Sequence, residues 1–230
     1  MGIEMKHFPA ICFDDFYDDP DSVREFALSQ EFLINETGLY PGVRTNFLHE
    51  INPELFDVFC NKLFSIFYDF NTTPTKWVIS TSFQLIKPFS TEEHSIKNHG
   101  WVHLDDNKIF AGVIYLTPNI DISTGTSLYK IKDNPKLLNS NVKYEFYKSG
   151  IADDSYDKIL SDHNNSFVET VRFNNVYNRM IAFDGTTYHK ANSYYSEGEQ
   201  RLCQVFFLEA FQSSSTTPIQ RSKLYKQAQD

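Results

Sequence analysis

The chain has 230 residues, of which 41% are hydrophobic and 22% charged, with a formal net charge of −9 at pH 7. That apolar content excludes a chain disordered by composition, and the length suits one domain with a sizeable core. The acidic balance excludes a nucleic-acid backbone as the main partner. Cys12, Cys60 and Cys203 are too few and too widely spaced for a disulfide framework and point to a reducing compartment. No apolar run approaches the length of a membrane span, and Met1–His7 has no signal-peptide apolar stretch, so the expectation is a soluble cytoplasmic protein. The 21 Phe favour a β-rich core with aromatic packing.

In chain order, residues 8–16 predict a short first strand. Asp19-Pro20-Asp21 combines an N-cap acid, a first-position Pro and a first-turn acid, and predicts a helix over about 20–31. Residues 37–48 read as a loop, with turn chemistry at Tyr40-Pro41-Gly42 and an isolated cation, Arg44, just beyond. Asn52-Pro53-Glu54 repeats the start signal, and Leu55, Phe59, Leu63 and Ile66 carry a second helix to about 69. From Lys76 the period changes to two: Trp77, Ile79, Thr81, Phe83 and Leu85 alternate with Val78, Ser80, Ser82 and Gln84. Further strands are expected near 101–105, 109–117, 126–131, 166–173, 178–183 and 201–210. Residues 132–165 are polar and read as an insertion outside the core, with a short helix starting at Asp153-Asp154. The stretch 213–230 reads as a polar, mobile tail.

The chemistry gathers at Gly100-Trp-Val-His-Leu-Asp-Asp106. A strand sends residues i and i+2 to one face, so His103 and Asp105 can offer an imidazole nitrogen and a carboxylate oxygen to one point, with Asp106 turned away into solvent. Two protein ligands under-hold a metal, and His189 is the best third candidate. Two His and one carboxylate form the facial triad of non-haem Fe(II) oxygenases. Arg201, twelve residues past His189, opens a strand whose same-face neighbours are Cys203, Val205 and Phe207.

With these residues in place, the sequence resembles the Fe(II)- and 2-oxoglutarate-dependent dioxygenases, prolyl-hydroxylase-like branch. The likeness spans roughly residues 77–211: His103-x-Asp105, the distal His189, the following Arg201, and Ile114-Tyr-Leu-Thr-Pro118 with Gly125-Thr126-Ser127. It implies a mainly β fold, a double-stranded β-helix (jelly roll) with N-terminal helices packed on the sheet. One domain is expected over 1–212, helical to about 75 and barrel from about 76. The resemblance further implies Fe(II) on His103, Asp105 and His189, with 2-oxoglutarate and O2 as cosubstrates. Arg201 would hold the far carboxylate of 2-oxoglutarate, and Tyr115 and Thr126 are candidates to hydrogen-bond it. Turnover would hydroxylate an unactivated C–H with release of succinate and CO2. Asp105 favours hydroxylation over halogenation, because related halogenases lack that carboxylate.

The prime substrate is expected to be a small molecule or a peptidyl side chain, with Arg44 and Tyr40 on its binding loop and 132–165 closing over it as a lid. Two alternatives stay open: a cupin-type metal enzyme without 2-oxoglutarate, and a non-catalytic ligand-binding barrel. Arg201 discriminates against the first, which needs no carboxylate clamp. His7, His49, His94 and His163 read as solvated loop residues, and His99 is given no role.

Overall fold

In the computed structural model, residues 6–105, 107–136, 141–197 and 200–227 are described. The capping signals set the helices. In α1 (Pro20–Ser29) Asp19 accepts the Ser22 amide at 3.1 Å, and in α3 (Pro53–Ser65) Asn52 accepts the Leu55 amide at 3.0 Å. Both helices stop short of their expected ends. At Gln30 the backbone turns extended, and the Gln30 side chain donates to Phe26 O instead. Strand β1 is only Ile11–Phe13, because Phe8 and Phe16 on either side leave the strand to enter the core. The stretch 37–48 is not all loop: it holds β2 (Val43–Arg44) and the start of α2 (Leu48–Ile51).

Two antiparallel sheets follow. β3 (Thr75–Ile86), β4 (Phe110–Tyr115), β7 (Met180–Asp184) and β9 (Arg201–Ser213) join β1 and β2 in the order β1-β7-β4-β9-β3-β2. β5 (Thr126–Ile131), β6 (Phe167–Phe173) and β8 (Tyr188–Ala191) form a smaller sheet, β6-β5-β8. Period-two alternation divides the large sheet into two faces. Phe83, Phe110, Ile114, Phe206 and Leu208 pack against Val23, Phe59, Leu63 and Phe64 of α1 and α3. Ala111, Val113, Tyr115, Cys203 and Val205 face the other way, toward Leu128 of the small sheet. The fold is therefore mainly β, with two sheets of jelly-roll type and the N-terminal helices packed on the outer face of the larger.

Four expectations are corrected. Residues 101–105 form no strand; a single antiparallel bridge, His103 to His189, stands in its place. The insertion carries α4 (Asn141–Ser149) and α5 (Tyr156–Asn164), and Phe146, Tyr147, Tyr156 and Leu160 bury themselves with Ile86, Trp101 and Tyr194 in a third apolar cluster. These few large side chains sit among polar neighbours, so helical spacing such as that of Tyr156 and Leu160 is easily missed. His163, in the last turn of α5, is buried rather than solvated. The tail carries α6 (Pro218–Gln227), tied to the body by the Ile219 amide on His7 O and by Arg221 over the Tyr68 ring. Residues 1–5, Asp106, 137–140 and 228–230 of the sequence reading lie outside the described residues. Among the described residues, no helix is long and apolar enough to cross a membrane.

Phe59 is fully buried and packs its ring on Phe16 and Phe206 at 6.1 and 5.3 Å between centroids, joining the helical layer to the sheet. Phe59→Ala is expected to cost about 3–5 kcal/mol, as a cavity no neighbour can fill. Urea unfolding at constant slope checks it, and a loss below about 1 kcal/mol would show that the layer repacks.

Candidate metal centre

The two halves of the centre meet at one pair of backbone hydrogen bonds. His103 N donates to His189 O at 3.0 Å, and His189 N donates to His103 O at 2.9 Å. His189 is carried by β8, which pairs with β5 at Leu128. The turn before β8 is closed by Asp184: one carboxylate oxygen accepts the Thr186 amide and hydroxyl, at 3.1 and 2.7 Å, and the other accepts the His7 and Phe8 amides. Sequence reasoning missed this residue, although Asp-Gly before a strand is turn chemistry.

His103 has no strand to hold it. The insertion does so instead. Asn164 of α5 accepts the Val102 amide and donates to Gly100 O, both at 3.0 Å. His163 Nε2 donates to Val102 O at 2.7 Å, and the Trp101 indole donates to the Tyr156 hydroxyl at 2.9 Å. Gly100 runs so close to β8 that a Cβ there would lie 2.7 Å from Ala191 O. The stretch expected as a lid thus clamps the segment that carries His103 and Asp105.

His103 Nδ1 lies 2.8 Å from Trp101 O, and His189 Nδ1 lies 3.0 Å from Thr187 O. A carbonyl only accepts, so each proton sits on Nδ1 and each Nε2 lone pair turns inward. One ligand atom from each of His103, Asp105 and His189 lies within 4.8 Å of the others. Asp105 Oδ2 is 3.4 Å from His189 Nε2, and Oδ1 is 4.0 Å from His103 Nε2. The His103 ring opens to the internal cavity, and burial, reinforced by His189 alongside, pushes its pKa well below the usual histidine range. A neutral imidazole is what a metal ligand requires. The donors fit a divalent cation of the Fe(II) type.

The cluster lines a cavity of about 550 Å³ between the sheets. Arg201, Thr126, Arg44 and Tyr40 line it too, so the structure brings together the residues singled out from sequence except Tyr115. Tyr115 is fully buried and donates its hydroxyl to Thr126 Oγ1 at 2.9 Å; burial pushes its pKa up to about 12, so it acts as a neutral donor. Arg201 is 3% exposed. Its side chain makes no hydrogen bond or ion pair with any described residue, its Nε is buried without a partner, and its guanidinium lies 5.6 Å from the centre of the Tyr115 ring. Arg44 is not isolated. Its Nε and Nη2 donate to Gln84 Oε1 at 3.2 and 3.1 Å, and its guanidinium lies 3.8 Å above the Tyr40 ring. Gln84 was passed over in the sequence, though it belongs to the polar half of the β3 alternation that faces the cavity. His99 does not line the cavity, and His49 and His94 are exposed.

A family described as a family of unknown function (DUF6445) matches residues 1–196. No curated protein matches the chain. Similar solved structures include HygX from Streptomyces hygroscopicus with nickel and 2-oxoglutarate bound, at TM-score 0.52 and 8% identity, covering 87% of this chain and 83% of that one. EvdO2 from Micromonospora carbonacea var. aurantiaca aligns at TM-score 0.51 and 12% identity, over 92% of this chain and 91% of that one. At such identities the likeness is one of fold, a jelly-roll fold of two antiparallel sheets.

Two variants test the centre. His189→Ala should lose most Fe(II) binding in an anaerobic titration, and full iron occupancy would overturn the assignment. Asn164→Ala touches no ligand atom, yet it should weaken Fe(II) binding by about tenfold by loosening the segment that orients His103. Unchanged affinity would show that the single bridge suffices.

Proposed function

The chain belongs to the DUF6445 family of unknown function, and we propose that it is a non-haem Fe(II)- and 2-oxoglutarate-dependent dioxygenase that hydroxylates an amino acid, a peptidyl side chain or a small metabolite. The observation that carries this reading is Arg201. A guanidinium buried without an anion is costly, so its position facing the same cavity as a His-Asp-His cluster marks the place of a carboxylate. A cupin-type enzyme without 2-oxoglutarate has no use for it. The reading treats residues 1–212 as one oxygenase unit.

His103, Asp105 and His189 would hold the metal. When bound, Fe(II) supplies reductive activation of O2 coupled to the conversion of 2-oxoglutarate to succinate and CO2. The protein's own part is to place the reactants. Arg201 matches the far carboxylate with parallel hydrogen bonds, in surroundings that strengthen them. Thr126, its hydroxyl already accepting from Tyr115, can turn its own proton toward that carboxylate. Ala111, Val113, Phe183 and Val205 make the wall apolar and keep water from the reacting atoms. The two imidazoles, protonated on Nδ1, offer their Nε2 lone pairs without competition from a proton.

Arg201→Ala is expected to weaken 2-oxoglutarate binding by about 2–4 kcal/mol, because a buried carboxylate loses its charged partner. Calorimetry on anaerobic, Mn(II)-loaded protein reads this directly, and metal affinity should survive. Equal 2-oxoglutarate affinity in wild type and variant would point to a different clamp.

A further inference from the structure

On the dioxygenase reading, 2-oxoglutarate is matched by Arg201 and the metal, and a second cation in the same cavity is left over. Arg44 pairs in register with Gln84, and Gln84 with Cys203, so these three form one row across β2, β3 and β9. Arg201 faces the same way two residues along β9. Strand spacing then separates the backbones of Arg44 and Arg201 by roughly 12 Å, and Gln84 holds the Arg44 guanidinium on its own row. The supports of Arg44 are neutral: the Gln84 side-chain oxygen and the Tyr40 ring, with the Phe207 ring at 5.5 Å. It forms no ion pair with a described carboxylate, and its Nη1 has no hydrogen-bond partner among the described residues. Burial pulls its pKa down, and the nearby Tyr40, Cys203 and Asp105 offset this only in part. Gln84 is itself anchored, its amide donating to Pro41 O at 2.6 Å, so the guanidinium is held pointing rather than left to swing.

The roof over Arg44 bears on the size of what it meets. Leu39 and Tyr40 of the 37–42 turn and Lys143, Tyr144 and Tyr147 of α4 all line the cavity. The two segments touch backbone to backbone: Gly38 has φ +70°, and a Cβ there would lie 1.9 Å from Tyr144 O. A polypeptide running through the site would have to part this contact.

We propose that the prime substrate is a small free carboxylic acid, the class that includes free amino acids, whose carboxylate is bound by Arg44 beneath the roof formed by the 37–42 turn and α4. One fork-shaped cation suits a carboxylate monoanion, bound through two parallel hydrogen bonds. Tyr40 and Gln84 act as positioning residues that aim the fork.

The test uses the full chain with Fe(II), 2-oxoglutarate and O2. Free amino acids and other small carboxylic acids are each compared with their primary amides, with phosphate monoesters and with peptides blocked at both ends. Substrate-dependent succinate release is one readout. Thermal-shift binding to the metal-free protein is the other, and it does not depend on turnover. The expected result is an acid preferred over its amide by about tenfold or more, the worth of a charge-assisted hydrogen bond. In Arg44→Ala that preference should fall to about one, and Arg44→Lys should restore part of it. A purely structural role for Arg44 would lower binding of acid and amide alike and leave their ratio intact, which overturns the proposal. So would equal binding of acids and amides by the wild type, a preference for blocked peptides or phosphate esters, or no acid bound at all. Acid binding that depends on Arg44, without succinate release under any condition, would instead overturn the dioxygenase reading and leave the carboxylate site standing.

Discussion

The centre depends on two backbone hydrogen bonds exchanged between His103 and His189. They lie 86 positions apart in sequence, and the bridge is the one sheet-like contact His103 makes among the described residues. Closing a loop of that length has an entropic cost that a single pair of hydrogen bonds does not offset. The elements around it supply the difference. On the His189 side these are the β5–β8 ladder and the Asp184 turn. On the His103 side they are α5 and the buried Trp101, with the ring of Trp101 in the third apolar cluster and its backbone neighbours held by Asn164 and His163. The insertion, which a reading by polarity sets outside the core, is therefore the support of the first ligand pair.

The leaving of His103 and Asp105 outside a regular strand has a physical use. In a strand paired on both sides every backbone group is committed to a neighbour. Here the Trp101 and Thr187 carbonyls are free to accept the two Nδ1 protons, each from the histidine two residues on. That repeated i, i+2 geometry sets both tautomers and turns both Nε2 atoms toward Asp105.

Charge is arranged against the protein's overall balance. A chain of net charge −9 lines one cavity with Arg44, Arg201 and Lys143. Of the described carboxylates lining the same space, Glu209 is paired with Lys108 at 2.7 Å, and Asp105 belongs to the His-Asp-His cluster. Among the described residues neither Arg44 nor Arg201 forms an ion pair, and low surrounding polarity makes that count. Their supports are neutral groups, Gln84, Tyr40 and Tyr115, which orient the guanidinium groups without discharging them.

Local chemistry determined much of this protein. Asp19-Pro20 and Asn52-Pro53 start helices because capping is settled within four residues, and β5 runs over Thr126–Ile131 as its pattern predicts. The His-x-Asp, the distal His and the Arg beyond it were legible because their side-chain types and spacing form a recognisable pattern, and the structure gathers them at one cavity. Only the tertiary structure decided how those residues are held. That 101–105 is a bridge rather than a strand follows from partners in α5, more than fifty residues away. That Arg44 is aimed and not loose follows from Gln84, its partner on the adjacent strand and forty positions distant in sequence. That Tyr115 lies behind Thr126 follows from how the sheets face one another. Side-chain type and short spacing are local quantities, whereas the surroundings that orient a ligand or strand a charge are made by chain segments whose meeting no local pattern encodes.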